Sequence, residues 1–218
     1  MLSANTLKSI YLYDEGIAGV DFKKIRSFIA GNFGNIPVYL RKLKKKAVHT
    51  TGLLFDFVAT LKAFTEINPA KKKDSCHIIL TPKLFATLDE FKKPHIRASI
   101  YGFPSVISLS GIVEGPAKPK AYYRYKQRYA QLGIWEIEEA EVKKKFKGKF
   151  IDYKDKRLTN VLKGYIAQGL FYFIFGDPFC NRRACRLYNA HWQEDLIYSQ
   201  IKAGKFCRLH QQKLQQLP

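Results

Sequence analysis

Four cysteines, five histidines and 18 acidic residues are few for a chain of 218, and each shortage removes a class of protein from consideration. Four unevenly placed cysteines make no disulfide framework of the kind that holds small secreted folds, so the chain must stand on a core of its own. Its length and its 46% hydrophobic content suffice for one, as a single domain over residues 1–218. No uninterrupted apolar stretch reaches the roughly 18 residues of a membrane helix. The opening MLSANTLKSIYLYDEG lacks the apolar block and small-residue cleavage site of a secretory leader. The expectation is a cytoplasmic protein with no membrane span. The acidic shortage leaves 38 Lys and Arg against 18 Asp and Glu, a net charge of +20 that attracts polyanions. Much of that excess lies in lysine-rich runs at 41–46, 71–73 and 143–145, which read as solvated faces before they read as a nucleic-acid surface.

What is present reads as strand and helix in alternation. LKSIYLYD (7–14) alternates and is rich in β-formers, while DFKKIRSFIAG (21–31) sets Phe22, Ile25, Phe28 and Ile29 on one helical stripe with Gly31 as its stop. IPVYLRK predicts a second strand, residues 52–64 a second helix, and CHIILT (76–81) a strand too apolar to face water, with Cys76 as a small buried hydrophobe. IRASIYG (96–102) and SVISLSGIV (105–113) predict a hairpin at a sheet edge. The fold class is therefore α/β, a mixed sheet flanked by helices, with a mainly βα part over 1–120 and a mainly helical part over 121–218. In the latter, AYYRYKQRYAQLG interleaves Tyr122, Tyr123, Tyr125 and Tyr129 with Arg124, Lys126 and Arg128. That string suits an amphipathic helix burying its tyrosines, or one that stacks bases and holds phosphates. From Arg157 the chain is apolar nearly all round a helix as far as Phe175, which marks a central, buried element, and Gly176-Asp-Pro stops it.

Three of the four cysteines follow that stop. Cys180-x4-Cys185 and Cys207-x2-His210 offer three thiolates and one imidazole, the ligand number and type of a closed tetrahedral zinc site. The segment 189–204 between the pairs predicts a helix capped by Asn189. With every position filled by protein, one zinc here staples the C-terminus and leaves no place for water or substrate. The plainer reading is three unrelated cysteines and a surface histidine.

This spacing resembles that of the archaemetzincins, zinc peptidases of the metzincin clan, which carry HExxHxxG, three residues, C-x4-C-x-M, a spacer and C-x2-C. Here Gly176 is followed by Asp177, Pro178, Phe179 and Cys180, Leu187 stands for the methionine, and His210 for the last cysteine. The wording PFCNRRACRLYNAHWQEDLI also resembles an archaeal family labelled as metallopeptidases. The resemblance is specific over about residues 157–218 and implies a metzincin-like fold, with SVISLSGIV as the edge strand ahead of the active-site helix. It also implies where the catalytic residues should be. Gly169 and Phe173 fall at the two helical zinc histidines, Leu170 at the catalytic glutamate and Phe179 at the third ligand. None carries a lone pair for the ion, and without the carboxylate no base remains for a metal-bound water. No register shift restores the motif, since the histidines stand at 49, 77, 95, 191 and 210.

Three functions follow. The first is an archaemetzincin-like protein that has lost its catalytic zinc, keeps a structural one, and binds a peptide or protein partner. The second is a peptidase with a relocated metal site, built from His191, Glu194 and Asp195 at helical spacing and supplemented by His77, His95 or Glu114. The third is a nucleic-acid binder using Tyr122, Arg124, Lys126, Arg128 and Tyr129. The residues name no substrate and fix no oligomeric state.

Overall fold

The computed structural model describes residues 7–68 and 74–217; the lysine run at 71–73 lies outside them. Strand β1 (Ser9–Asp14) is followed by helix α1 (Phe22–Phe33), strand β2 (Val38–Lys42), the short strands β3 (Thr50–Thr51) and β4 (Leu54–Phe55), and helix α2 (Phe57–Ile67). Strands β5 (Ser75–Thr81), β6 (Ala86–Leu88), β7 (Pro94–Ile96), β8 (Ser99–Ile100) and β9 (Ser105–Ser108) come next. Helices α3 (Leu109–Glu114), α4 (Lys120–Gln131), α5 (Trp135–Lys145), α6 (Leu158–Phe175), α7 (Gln193–Ile197) and α8 (Arg208–Gln215) complete the chain, with a π-helical turn over Tyr198–Ala203.

The strands form two mixed sheets. One is five-stranded in the order β2-β1-β5-β9-β8, parallel except for the antiparallel edge β8, and the other is four-stranded in the order β3-β4-β6-β7. Strand β5 is buried along its whole length, as its unbroken apolar run predicts for a strand covered on both faces. Helix α6 crosses one face of the large sheet and buries nearly every side chain it has, including Leu162, Ile166 and Leu170, against α1 and the C-terminal segment. No helix among the described residues is long and apolar enough to cross a membrane.

Several boundaries differ from the sequence expectation for local reasons. Helix α1 runs through Gly31 and ends at Gly34, whose φ of +83° suits glycine. Residues 52–55 form a turn and strand β4, so α2 starts only after Asp56, whose carboxylate accepts from Ala59 N at 2.9 Å. IRASIYG is split between β7 and β8, which belong to different sheets. SVISLSGIV is a strand only as far as Ser108, whose hydroxyl accepts from Gly111 N at 2.8 Å and starts α3. The edge is therefore β8, and β9 lies inside the sheet.

The second face of the large sheet carries a smaller aromatic core around Tyr13, Phe64 and Phe85. His77 of β5 is sealed in it at 3% exposure, its Nδ1 paired with the Tyr13 hydroxyl at 2.9 Å and its Nε2 without a partner among the described residues. Burial, and then the Arg41 charge, lower its pKa from 6.5 to about 4. The unfolded chain takes this proton near 6.5 and the folded one only near 4, so the stabilisation is complete above the first value and is lost as pH falls through the interval. About 3 kcal/mol is expected to go. Urea midpoints at neutral pH and near pH 4 check it, and the His77→Gln variant is expected to show the shallower slope; an equal slope would assign the loss to other groups.

Candidate metal centre and the cleft beside it

Helix α6 stops where Gly176 takes φ +74° and returns its N–H to Tyr172 O at 2.9 Å. The chain then folds back on itself in tight turns, with Cys180 N donating to Leu187 O at 2.9 Å and Cys185 N to Arg182 O at 2.8 Å. These turns aim both sulfurs toward the start of α8. There Cys207 is the residue before the helix and His210 lies in its first turn, so a spacing of three brings both to one side.

The four donor atoms, three Sγ and one ring nitrogen, all lie within 4.8 Å of one another. Cys180 Sγ is 3.9 Å from Cys207 Sγ, and His210 Nδ1 is 3.6 Å from Cys185 Sγ and 3.1 Å from Cys207 Sγ. A tetrahedral zinc with ordinary bond lengths spaces its ligands about 3.8 Å sulfur to sulfur and about 3.6 Å sulfur to nitrogen, so the donor set fits that ion. Arg182 N and Cys207 N each approach a cysteine sulfur at 3.4 Å, contacts that favour the thiolate form and orient the ligands. Burial, and after it the neighbouring Cys180 and Cys207 sulfurs, push the Cys185 thiol up to about 12, so it holds its proton until a cation displaces it. Cys185 is fully buried, His210 nearly so, and the Phe171 ring stands edge-on to the imidazole. Four protein donors in such surroundings leave no open position for a substrate.

Beside this cluster, α6 and the edge strand β8 frame a cleft of about 160 Å³ whose lining includes His95, Ser99, Gln168, Phe179 and His191. At the position where the resemblance implies a zinc histidine, Gly169 lies so close to the sheet that a Cβ would stand 3.3 Å from Ile78 Cδ1 and 3.7 Å from the Tyr101 ring. Tyr101 occupies this space. Its hydroxyl donates to Gln168 Oε1 at 2.7 Å, its ring meets Phe179 edge-on at 5.9 Å, and Tyr172 flanks it at 6.2 Å. Burial holds its phenol well above the ordinary range, so the group is a neutral donor. Leu170 is fully buried in the main core and Phe173 packs against the same core, while Phe179 is 37% exposed at the cleft. The rings of Tyr101 and Phe179 thus meet where the resemblance implies a metal. Tyr101 carries no signal in the sequence, but Gln168 does: it is a lone buried amide in an otherwise apolar helix, and its Nε2 donates to Tyr188 O at 3.2 Å.

The relocated centre is not assembled. Among the described residues the three cysteines and His210 are the one group of three or more potential ligands close enough to share an ion. Ala117 N donates to His191 O and Gln193 N to Ala117 O, both at 2.8 Å, which holds residues 191–193 extended. Helix α7 therefore starts at Gln193, Asn189 does not cap it, and His191 never shares a helical face with Glu194 and Asp195. Asp195 instead pairs with Arg183 at 2.5 Å, and Glu114 with Lys118 at 2.9 Å. His77 is sealed on the far face of the sheet. The tyrosines of α4 serve a small aromatic core: Tyr122 is buried against Trp135, Phe146 and Phe150, while Tyr125 and Tyr129 stack on each other at its margin. Arg124, Lys126 and Arg128 point outward, with Lys126 Nζ over the Trp135 ring. Tyr122 is thus withdrawn from any stacking role.

A family model described as a probable metallopeptidase family (DUF6775) matches residues 20–217. The crystal structure of archaemetzincin from Methanopyrus kandleri is similar in fold, with a TM-score of 0.55 at 12% sequence identity over 99% of this chain and 97% of that chain. No curated protein matches.

Proposed function

The chain belongs to the probable metallopeptidase family, and from that premise we propose that it has lost the catalytic zinc site, keeps one structural zinc, and acts as a non-catalytic peptide- or protein-binding protein. The structural ion sits on Cys180, Cys185, Cys207 and His210, whose spacing fits tetrahedral zinc. The observation that carries the loss of catalysis is the Tyr101 ring over Gly169, where a metal ligand would have to stand. Among the described residues no carboxylate lines the cleft to activate water, and Leu170, where the resemblance implies the glutamate, is buried in the main core. What the cleft retains is an edge strand, β8, whose outer main-chain groups can pair with an extended peptide. Four free cysteines suit a reducing compartment, and the cytoplasm is the location we favour.

The experiment is metal analysis of the purified chain together with an assay of casein and short peptides. One zinc per chain is expected, bound through the three cysteines and His210, with no hydrolysis that a chelator removes. A second zinc, or robust chelator-sensitive cleavage, would overturn the proposal.

A further inference from the structure

Helices α1 and α8 and residues 204–206 border a surface cavity of about 550 Å³. Arg186 lines it at 6% exposure. Its Nη1 donates to Asn160 O at 3.2 Å and Gln200 Oε1 at 3.3 Å, its Nη2 to Gly204 O at 2.5 Å, and its Nε, itself buried, has no partner among the described residues. Every acceptor is neutral, and Arg186 makes no ion pair with any described residue. The nearest negative charge is the neighbouring Cys185 thiolate of the metal cluster, which it does not touch, and a buried guanidinium with no direct anionic partner is costly.

Its surroundings add charge of the same sign. Lys163 Nζ and the Arg186 guanidinium both lie over the Phe28 ring, at 5.9 and 5.0 Å, and Lys205 lines the cavity. Burial and then the Arg186 charge hold Lys163 below the ordinary lysine range. The remaining polar lining is amide, from Asn32, Gln211 and Gln215, and no acidic side chain lines the cavity among the described residues. A role as a clamp on the carbonyls of Asn160 and Gly204 accounts for the directions of the two Nη groups but not for the excess of positive charge gathered at the cavity.

We propose that this cavity binds a phosphate group, with Arg186 as the buried cation that receives it and Lys205 as a second cation at the rim. A guanidinium gives directed charge-assisted bonds to a tetrahedral oxyanion, and the amides supply neutral donors around it. The proposal stands apart from the loss of catalysis in the cleft.

Calorimetric titration of the full-length protein tests it at fixed ionic strength in chloride, with inorganic phosphate and with adenosine monophosphate as separate probes. Saturable binding of one anion per chain is expected. Arg186→Gln should weaken it about tenfold or more, as removal of a charged hydrogen-bond donor does. Lys205→Gln, an exposed change that keeps the fold, should weaken it about threefold. Lys62→Gln, on α2, should leave it unchanged. Tighter binding of the nucleotide supports a phosphate-bearing metabolite as the guest, and equal affinity supports the free ion. Absence of saturable binding with both probes, or equal affinity in wild type and Lys205→Gln, overturns the proposal even if Arg186→Gln fails to fold.

Discussion

Stripping any metal from the chain, or replacing Cys185 by serine, is expected to loosen residues 177–187 and 205–217 while α7 and the large sheet keep their protection. Leu196, Ile197 and Gln193 tie α7 to the main core independently of the ion, whereas the turns that carry the cysteines have only Leu187 and Phe206 as neighbouring anchors and most of residues 177–184 are exposed. Zinc sites of this kind contribute about 10–16 kcal/mol to the folding of small zinc modules at neutral pH. Whole domains are stable by only about 5–15 kcal/mol, so no other single contact in this region compares. Amide hydrogen exchange reads the result directly: fast exchange over 180–187 and α8, with slow exchange retained over α7, β1 and β5. Unchanged exchange after complete removal of metal would show that packing alone holds the cysteines together.

The second large effect is expected from rebuilding the peptidase motif. A chain carrying Gly169→His, Leu170→Glu, Phe173→His and Phe179→His should fail to fold stably and should gain no activity. Leu170 is fully buried in the main core, so glutamate there is a carboxylate without a partner. Substitutions of this type lie at the extreme of single-residue effects, beyond about 4 kcal/mol. Histidine at 169 meets Ile78 and Tyr101 before it meets any ion. Soluble yield and urea midpoint, compared with Leu170→Glu alone, give the measurement. If the fourfold variant folded with wild-type stability and took up a second zinc, the cleft would be a dormant site and Tyr101 no obstacle.

The features legible in the sequence are those encoded over short distances. The apolar circumference of α6, its glycine stop, and the spacings of Cys180 to Cys185 and Cys207 to His210 each lie within a few turns of chain, and the structure brings the four side chains together. What the sequence hid depends on contacts across the fold. Tyr101 reaches Gln168 over a separation of 67 residues, and no periodicity reports such a meeting. The β-formers of SVISLSGIV point to a strand, yet Gly111 fits against the carbonyl of Arg97, where a Cβ would stand only 2.1 Å from that oxygen. Tertiary approach decided the conformation there against local propensity. The helix expected from Asn189 was shortened in the same way, by the main-chain pairing of 191 and 193 with Ala117.

Gln168 grips the Tyr101 phenol with its oxygen and the Tyr188 carbonyl with its nitrogen, and Tyr188 N in turn donates to Cys185 O at 2.9 Å. A guest that displaced Tyr101 from its seat would loosen this relay at one end and tug on a thiol ligand at the other. Occupancy of the cleft is therefore expected to be felt at the cysteine cluster, and cobalt introduced there should report a visitor as a change of colour.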